Sequence, residues 1–401
     1  MNIFKMAYCR AYQTFFRLAL PILPYRTPEI FESVSSVPEQ LSEMGINSVL
    51  LVTDGGLRSL GVTYPLENAL KEAGIKCGVY DKTNANPTVK NVEEAVVMYK
   101  KEKCGALIGF GGGSAMDCAK AVGARIAKPK QSLSQMEGIL KIHRKLPPVF
   151  AVPTTAGTGS ETTLAAVITD DETRHKFPIN DFSLIPKYAV LDPQTTVGLP
   201  PFFTATTGMD ALTHAVEAFI GGSTTKETRA NSIKAVKLIM KYLEPAYNDG
   251  GDIEARSAML RASFLAGAAF AKSYVGYCHS VAHSLGGKYN TPHGLANSVL
   301  LPYVLRAYGS SAYGKLKILA IEAGIAKADV PDSVGAEIFV RKIEEMNRNM
   351  NIPTKLEGIK PEDIETLAKY ADKEGNPLYP VPRLMNAKEL QRFYVAVSKE
   401  I

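Results

Sequence analysis

Histidine is scarce in this chain of 401 residues, with six in all, and four of them (His214, His279, His283 and His293) fall between positions 214 and 293. Only His143 and His175 lie elsewhere. In Asp210-Ala-Leu-Thr-His214 a carboxylate and an imidazole stand at i and i+4. That spacing puts both on one face of a helix, where they can bind one ion. His279 and His283 repeat the interval, and His293 follows in the loop Asn290-Thr291-Pro292-His293-Gly294. Imidazole nitrogens combined with a carboxylate oxygen suit Fe²⁺, Zn²⁺ or Mn²⁺. A cation so held can act as a Lewis acid on a substrate oxygen. Five candidates exceed the four that a tetradentate site needs, so one is left for a supporting or proton-transfer role. Spacing alone does not say which.

A second group of residues suits phosphate. An apolar run over 106–110 leads into Gly111-Gly112-Gly113-Ser114 and then a helical pattern, with Ser114 as a candidate N-cap and Asp117 in the first turn. Glycine lets a backbone come close to a phosphate, and a helix start offers free N–H groups and a positive dipole end. The G-x-G-x-x-G fingerprint is not met and no Walker motif is present. A further loop, Pro153-Thr154-Thr155-Ala156-Gly157-Thr158-Gly159-Ser160-Glu161, crowds hydroxyls and glycines after another apolar run, as phosphate and ribose contacts require. Asp54 ends the first clear strand. An acid there can accept from a ribose diol and repels a 2′-phosphate, which favours NAD over NADP.

Two kinds of scaffold must position these groups. From about residue 48 to 192, β-rich runs (48–53, 77–80, 106–110, 149–152, 188–191) alternate with helical patterns (65–73, 89–102, 114–127). Such alternation implies βαβ units and a mostly parallel sheet. After Leu199-Pro200-Pro201 the β-runs stop, and 3.6-residue apolar periodicity over 202–220, 225–243 and 253–273 predicts helices, which continue to the end. The expected organisation is an α/β nucleotide-binding domain over 1–199, with 1–40 as an N-terminal arm, and an all-helical metal-binding domain over 200–401.

Composition narrows the function classes. With 46% hydrophobic and 21% charged residues the chain can bury a large core and is not disordered. A net charge of +6, spread thinly, does not make the concentrated basic face of a nucleic-acid binder. Five scattered cysteines with no C-x-x-C fit reduced thiols and a cytoplasmic location. No apolar run is long enough for a membrane helix, and the apolar, basic N-terminus is broken by Arg10 and Arg17, so it reads as an arm packed on its own fold or on a partner subunit.

Taken together, GGGSAMD at 111–117, PTTAGTGSE at 153–161, DALTHAVEAF at 210–219 and HSVAHSLGGKYNTPHG at 279–294 resemble the iron-containing (group III) alcohol dehydrogenases, from about residue 40 to the end. The resemblance implies a dehydroquinate synthase-like fold and reversible hydride transfer between a primary alcohol or aldehyde and NAD(H), with NADP(H) disfavoured. By position it makes Asp210, His214, His279 and His293 the Fe²⁺ ligands. It makes His283 a non-ligand histidine near the nicotinamide, a candidate for proton relay. Gly112, Gly113, Ser114 and Asp117 match the pyrophosphate segment, Thr154, Thr155 and Thr158 further cofactor contacts, Lys176 a lysine at the nicotinamide ribose, and Asp54 the acid tied to NAD preference. It also implies a homodimer or higher homo-oligomer. The segment before residue 40 lacks the Gly-rich turn of many members. A zinc-dependent glycerol-dehydrogenase-like polyol enzyme shares the fold with a different ligand set. A metal-dependent hydrolase would leave the loops at 111–114 and 153–160 without a purpose.

Overall fold

The computed structural model describes residues 1–173 and 175–401 and divides into two compact units. One spans Pro24–Leu199; the other joins Met1–Leu23 to Pro200–Ile401. The first helix, α1 (Ile3–Ala19), therefore belongs with the helical half of the chain. This differs from the expectation of one arm over 1–40 attached to the α/β half. Cys9 and Gln13 are buried, Arg10 donates to the Val381 and Pro382 carbonyls at 2.8 and 2.9 Å, and Gln13 donates to the Tyr379 carbonyl at 2.8 Å. Those partners lie at the far end of the sequence, where no local pattern reveals them.

The α/β unit runs β1 (Glu29–Phe31), α2 (Val37–Glu43), β2 (Ser48–Val52), α3 (Gly55–Ser59), α4 (Tyr64–Glu72), β3 (Lys76–Tyr80), α5 (Val89–Lys101), β4 (Ala106–Gly111), α6 (Gly113–Ala127), β5 (Gly138–Ile139), β6 (Val149–Pro153), β7 (Ala165–Thr169), β8 (Lys176–Asn180) and β9 (Tyr188–Val190). Six strands form a parallel sheet in the order β1-β9-β6-β4-β2-β3. Every residue of β2, β4 and β6 is buried, because helices cover both faces. Alternation then divides the side chains between two cores. Leu50, Val52 and Leu107 pack with Val92, Val96 and Val122, whereas Val49, Leu51 and Ile108 pack with Leu41, Leu66 and Leu70 on the opposite face. The chain steps outward from β2 to β3 and then returns to place β4 on the other side of β2. That reversal opens a crevice at the carboxyl ends of β2 and β4, the place where open α/β sheets bind ligands. A second sheet, ordered β5-β8-β7, and the edge strand β1 were not expected from sequence. Their strands are short, and Pro178 inside β8 argues against a strand when read locally.

The helical unit continues with α7 (Pro201–Ile220), α8 (Lys226–Asn248), α9 (Ile253–Ser273), α10 (Tyr277–Tyr289), α11 (His293–Tyr308), α12 (Tyr313–Glu322), α13 (Asp332–Asn349), α14 (Ile364–Gly375) and α15 (Ala387–Val397). Pro201 opens α7 at the position where a missing N–H costs nothing. Capping boxes start α8 (Thr225 with Thr228) and α15 (Asn386 with Glu389). Asn290, left-handed at φ 54°, ends α10, and Pro292 precedes α11, whose first residue is His293. Among the described residues no helix is long and apolar enough to cross a membrane.

Candidate metal centre and nucleotide loops

Three helices of one unit bring the metal candidates together. α7 carries Asp210 and His214 one turn apart, α10 carries His279, and α11 begins with His293. One ligand atom from each of these four lies within 4.8 Å of the others, the one such group found among the described residues. The His214 ring is stacked between Phe270 and His279, with centroids 4.1 and 4.5 Å away. Asp210 is 2% exposed, and its Oδ1 lies 3.4 Å from His293 Nε2 and 3.8 Å from His279 Nε2. His279 Nε2 is buried with no hydrogen-bond partner among the described residues. A buried carboxylate facing an imidazole nitrogen without a partner is costly, and a divalent cation removes both costs. Burial also holds the His279 pKa well below its usual value, so the ring presents the neutral form that binds metal. Burial pushes the Asp210 carboxyl up, against the pull of His214. The residues present fit the ion.

A further layer holds the ligands. Glu217 Oε2 pairs with His279 Nδ1 at 2.7 Å and accepts from the Gly276 N–H at 2.7 Å, while Oε1 accepts from the Cys278 N–H at 2.8 Å. With Nδ1 so engaged, Nε2 is the nitrogen left to face the site. Burial pushes the Glu217 carboxyl up to about 7, with those N–H groups opposing it. Asn297 Nδ2 donates to Asp210 Oδ1 at 2.7 Å and lies 3.1 Å from His293 Nε2. Sequence reasoning passed over both residues, although a signal existed. Glu217 stands seven residues after Asp210 on the same face of a helix that carries no other acid, and Asn297 stands four after His293.

His283 is the fifth candidate. Its ring stacks on His293 at 5.1 Å, and its Nδ1 lies 2.6 Å from Glu374 Oε1. Burial is the largest single influence and lowers its pKa, but Glu374, joined by Asp210 and Glu217, raises it overall. The Tyr379 hydroxyl donates to the same Glu374 oxygen at 2.6 Å. Neither Glu374 nor Tyr379 was foreseen, since they lie about ninety residues away on α14 and the segment after it.

In the α/β unit the phosphate candidates converge at the crevice. Asp54 follows β2 and Gly112 follows β4, and a Cβ added to Gly111 would lie 3.9 Å from Asp54 Oδ2. Gly111 pairs in register with Pro153, and the Thr154 N–H donates to the Gly111 carbonyl at 3.0 Å. A Cβ on Gly113 would meet Thr158 at 3.3 Å. Gly112, Gly113, Thr154, Thr155 and Thr158 therefore line neighbouring loops. Gly111, at φ +151°, has Ala115 Cβ only 2.8 Å from where its own Cβ would stand. Asp54 Oδ1 accepts from the Leu57 N–H at 3.0 Å, capping α3. Lys176 begins β8 in the second sheet, with its ammonium pKa lowered by burial.

One expectation changes here. The N-cap of α6 is Gly112, with no side-chain cap, whereas Ser114 lies inside the helix and donates to the Ala85 carbonyl. Among the described residues the N-cap thus supplies no side-chain acceptor to the first N–H groups of α6. The Asp117 carboxylate has partners within the protein. Its Oδ1 accepts from the Ser160 hydroxyl at 2.7 Å, and its Oδ2 accepts from the Val167 N–H at 3.0 Å. Lys120, wholly buried, donates to the carbonyl and hydroxyl oxygens of Ser160 and Thr163 and to the Ala165 carbonyl. Asp117 and Lys120 pin the second loop to α6 from beneath.

Residues 30–193 match the family described as iron-containing alcohol dehydrogenase, and residues 204–397 match the C-terminal part described as Fe-containing alcohol dehydrogenase family. An NAD-dependent methanol dehydrogenase from Bacillus methanolicus is 38% identical over 341 residues, covering 84% of this chain and 89% of its own. A 1,3-propanediol dehydrogenase from Klebsiella pneumoniae is 37% identical over 366 residues, covering 90% and 94%. Among solved structures, a 1,3-propanediol oxidoreductase superposes with a TM-score of 0.88 at 36% identity, covering 92% of this chain and 98% of its own.

Proposed function

Because this chain belongs to the iron-containing alcohol dehydrogenase family, an oxidoreductase family acting on alcohols and aldehydes, we propose that it uses NAD(H) with Fe²⁺ held by Asp210, His214, His279 and His293. The observation that carries the reading is the convergence of those four ligand atoms within 4.8 Å of one another. When bound, the cation supplies Lewis-acid activation of the alcohol oxygen and the nicotinamide supplies the hydride acceptor. The chain's own residues do the rest. Gly112, Gly113 and the first turn of α6 hold the pyrophosphate on backbone N–H groups. Thr154, Thr155, Thr158 and Lys176 make further cofactor contacts, and Asp54 accepts from a ribose diol and excludes a 2′-phosphate. His283, with Nδ1 engaged by Glu374, takes up the hydroxyl proton at Nε2 and passes it towards solvent. Its side chain is 43% exposed, so solvent reaches it. All five cysteines are free thiols, which supports a reducing, cytoplasmic setting. A homodimer or higher homo-oligomer belongs to the same reading and is measured by light scattering.

The test is to strip the protein with a chelator, refill it with Fe²⁺, Zn²⁺ or Mn²⁺, and follow NADH absorbance with a panel of short alcohols and aldehydes. Fe²⁺ restores turnover to the wild type but not to His214→Ala. Full activity in metal-stripped His214→Ala overturns the reading.

A further inference from the structure

We propose that Glu374 is the positioning residue that aims His283, and that α1 keeps Glu374 in place through the segment after α14. The inference rests on the proton-relay role given to His283 above. The link is a continuous chain of contacts. Glu374 Oε1 lies 2.6 Å from His283 Nδ1 and accepts from the Tyr379 hydroxyl at 2.6 Å. The Tyr379 carbonyl accepts from Gln13 Nε2 at 2.8 Å, and Arg10 of α1 donates to the carbonyls of Val381 and Pro382 a little further on. Arg10 also donates to Gln13 Oε1 at 2.8 Å, so the two clamping side chains brace each other. Phe16 of α1 packs edge-on against Tyr274 at 4.8 Å, and Tyr274 in turn faces Tyr379 at 6.3 Å.

Physical chemistry explains why such bracing is needed. A histidine that moves a proton must present the correct nitrogen at the correct angle, and a carboxylate on Nδ1 sets both the tautomer and the ring orientation. The side chains of His283 and Glu374 are 43% and 33% exposed, so water competes for their bond. An exposed pair of this kind holds its geometry poorly without further support. Tyr379 provides that support on one side. The other side is the exit of α14, where a Cβ on Gly375 would come within 2.9 Å of Tyr277, leaving the backbone little room. The clamp comes from residues 3–19, before residue 30, where the family match begins.

The experiment measures kcat, KM for alcohol and for NAD, and iron content in the Fe²⁺-loaded full chain carrying Glu374→Ala, Glu374→Gln, His283→Ala, the double variant His283→Ala/Glu374→Ala, and Arg10→Ala/Gln13→Ala. We expect Glu374→Ala to lower kcat about 10- to 100-fold, with iron content and KM for NAD unchanged, and Glu374→Gln to lie between it and the wild type. The double variant should be no slower than His283→Ala alone, because two groups acting as one unit are not additive. Arg10→Ala/Gln13→Ala should lower kcat several-fold with iron content and KM for NAD unchanged, and full turnover in that variant overturns the role given to α1. If His283→Ala is slow but Glu374→Ala keeps full turnover, the positioning role is wrong and the His283 role stands. If the two losses add, Glu374 acts elsewhere and the proposal is overturned. Full turnover in His283→Ala overturns both.

Discussion

Glu217→Gln tests the support of the metal centre in the most direct way. The carboxylate is 2% exposed and serves three donors: His279 Nδ1 and the Gly276 N–H on Oε2, and the Cys278 N–H on Oε1. An amide has one oxygen for the two donors on one side, and its NH₂ must then face the Cys278 N–H. A buried backbone donor left unsatisfied costs about 1–3 kcal/mol. Replacing a charged acceptor by a neutral one at His279 costs about 1 kcal/mol more. The side chain has no room to turn away, since a Cβ at Gly276 would already lie 2.6 Å from Glu217 Oε1. The metal-free variant should therefore be about 2–4 kcal/mol less stable, read from urea unfolding midpoints and slopes. With His279 less firmly aimed, metal affinity should fall about 10- to 100-fold, or about 1.4–2.8 kcal/mol, read by competition with a chromophoric chelator. A folded Glu217→Gln protein that binds Fe²⁺ within about twofold of wild type would refute the reasoning.

Asp54→Gly should raise the NADP-to-NAD ratio of kcat/KM by about tenfold or more by removing a like charge, and should leave α3 intact because glycine is a tolerated N-cap. An unchanged ratio removes Asp54 from cofactor choice. Gly111→Ala should raise KM for NAD and destabilise the α/β unit by about 1–3 kcal/mol, because its Cβ would come within 2.8 Å of Ala115 Cβ at a φ of +151°; an unchanged KM and Tm would count against the tight approach. Burial raises the Glu161 pKa from 4.5 to about 7, so the folded state holds a proton that the unfolded state has lost between those values. Its contribution is therefore fully present below about pH 4.5 and is lost as pH rises through about 7, an upper bound of about 3 kcal/mol. Urea midpoints of Glu161→Gln should exceed those of wild type at pH 8, with the gap closing towards pH 5; a gap that does not change with pH removes the buried charge as its cause.

Part of the metal centre was legible along the chain because two of its candidate ligands form a local pair. Asp210 and His214 share a helix face, and the helical period alone predicts that they point together. The turn from β4 into α6 was legible for a similar reason, since an apolar run, three glycines and a helical pattern follow one another along the chain. Local reading failed at the start of α6, where Gly112 and not Ser114 is the N-cap. The side chains of Ser114 and Asp117 have partners at Ala85, Ser160 and Val167. Nothing nearby in the sequence marks those partners.

Local spacing and residue chemistry, then, determined the grouping of Asp210 and His214 on one helix face, the strand–glycine–helix turn of the first half and the change from strands to helices near residue 199. Tertiary structure alone decided that Glu217 and Asn297 hold the ligands, that α1 joins the helical unit, and that Glu374 and Tyr379 reach His283. The physical reason is the range of the information. Helical and strand periods reach a few residues along the chain, whereas hydrogen-bond partners for buried or half-buried polar groups come from wherever packing brings the backbone close.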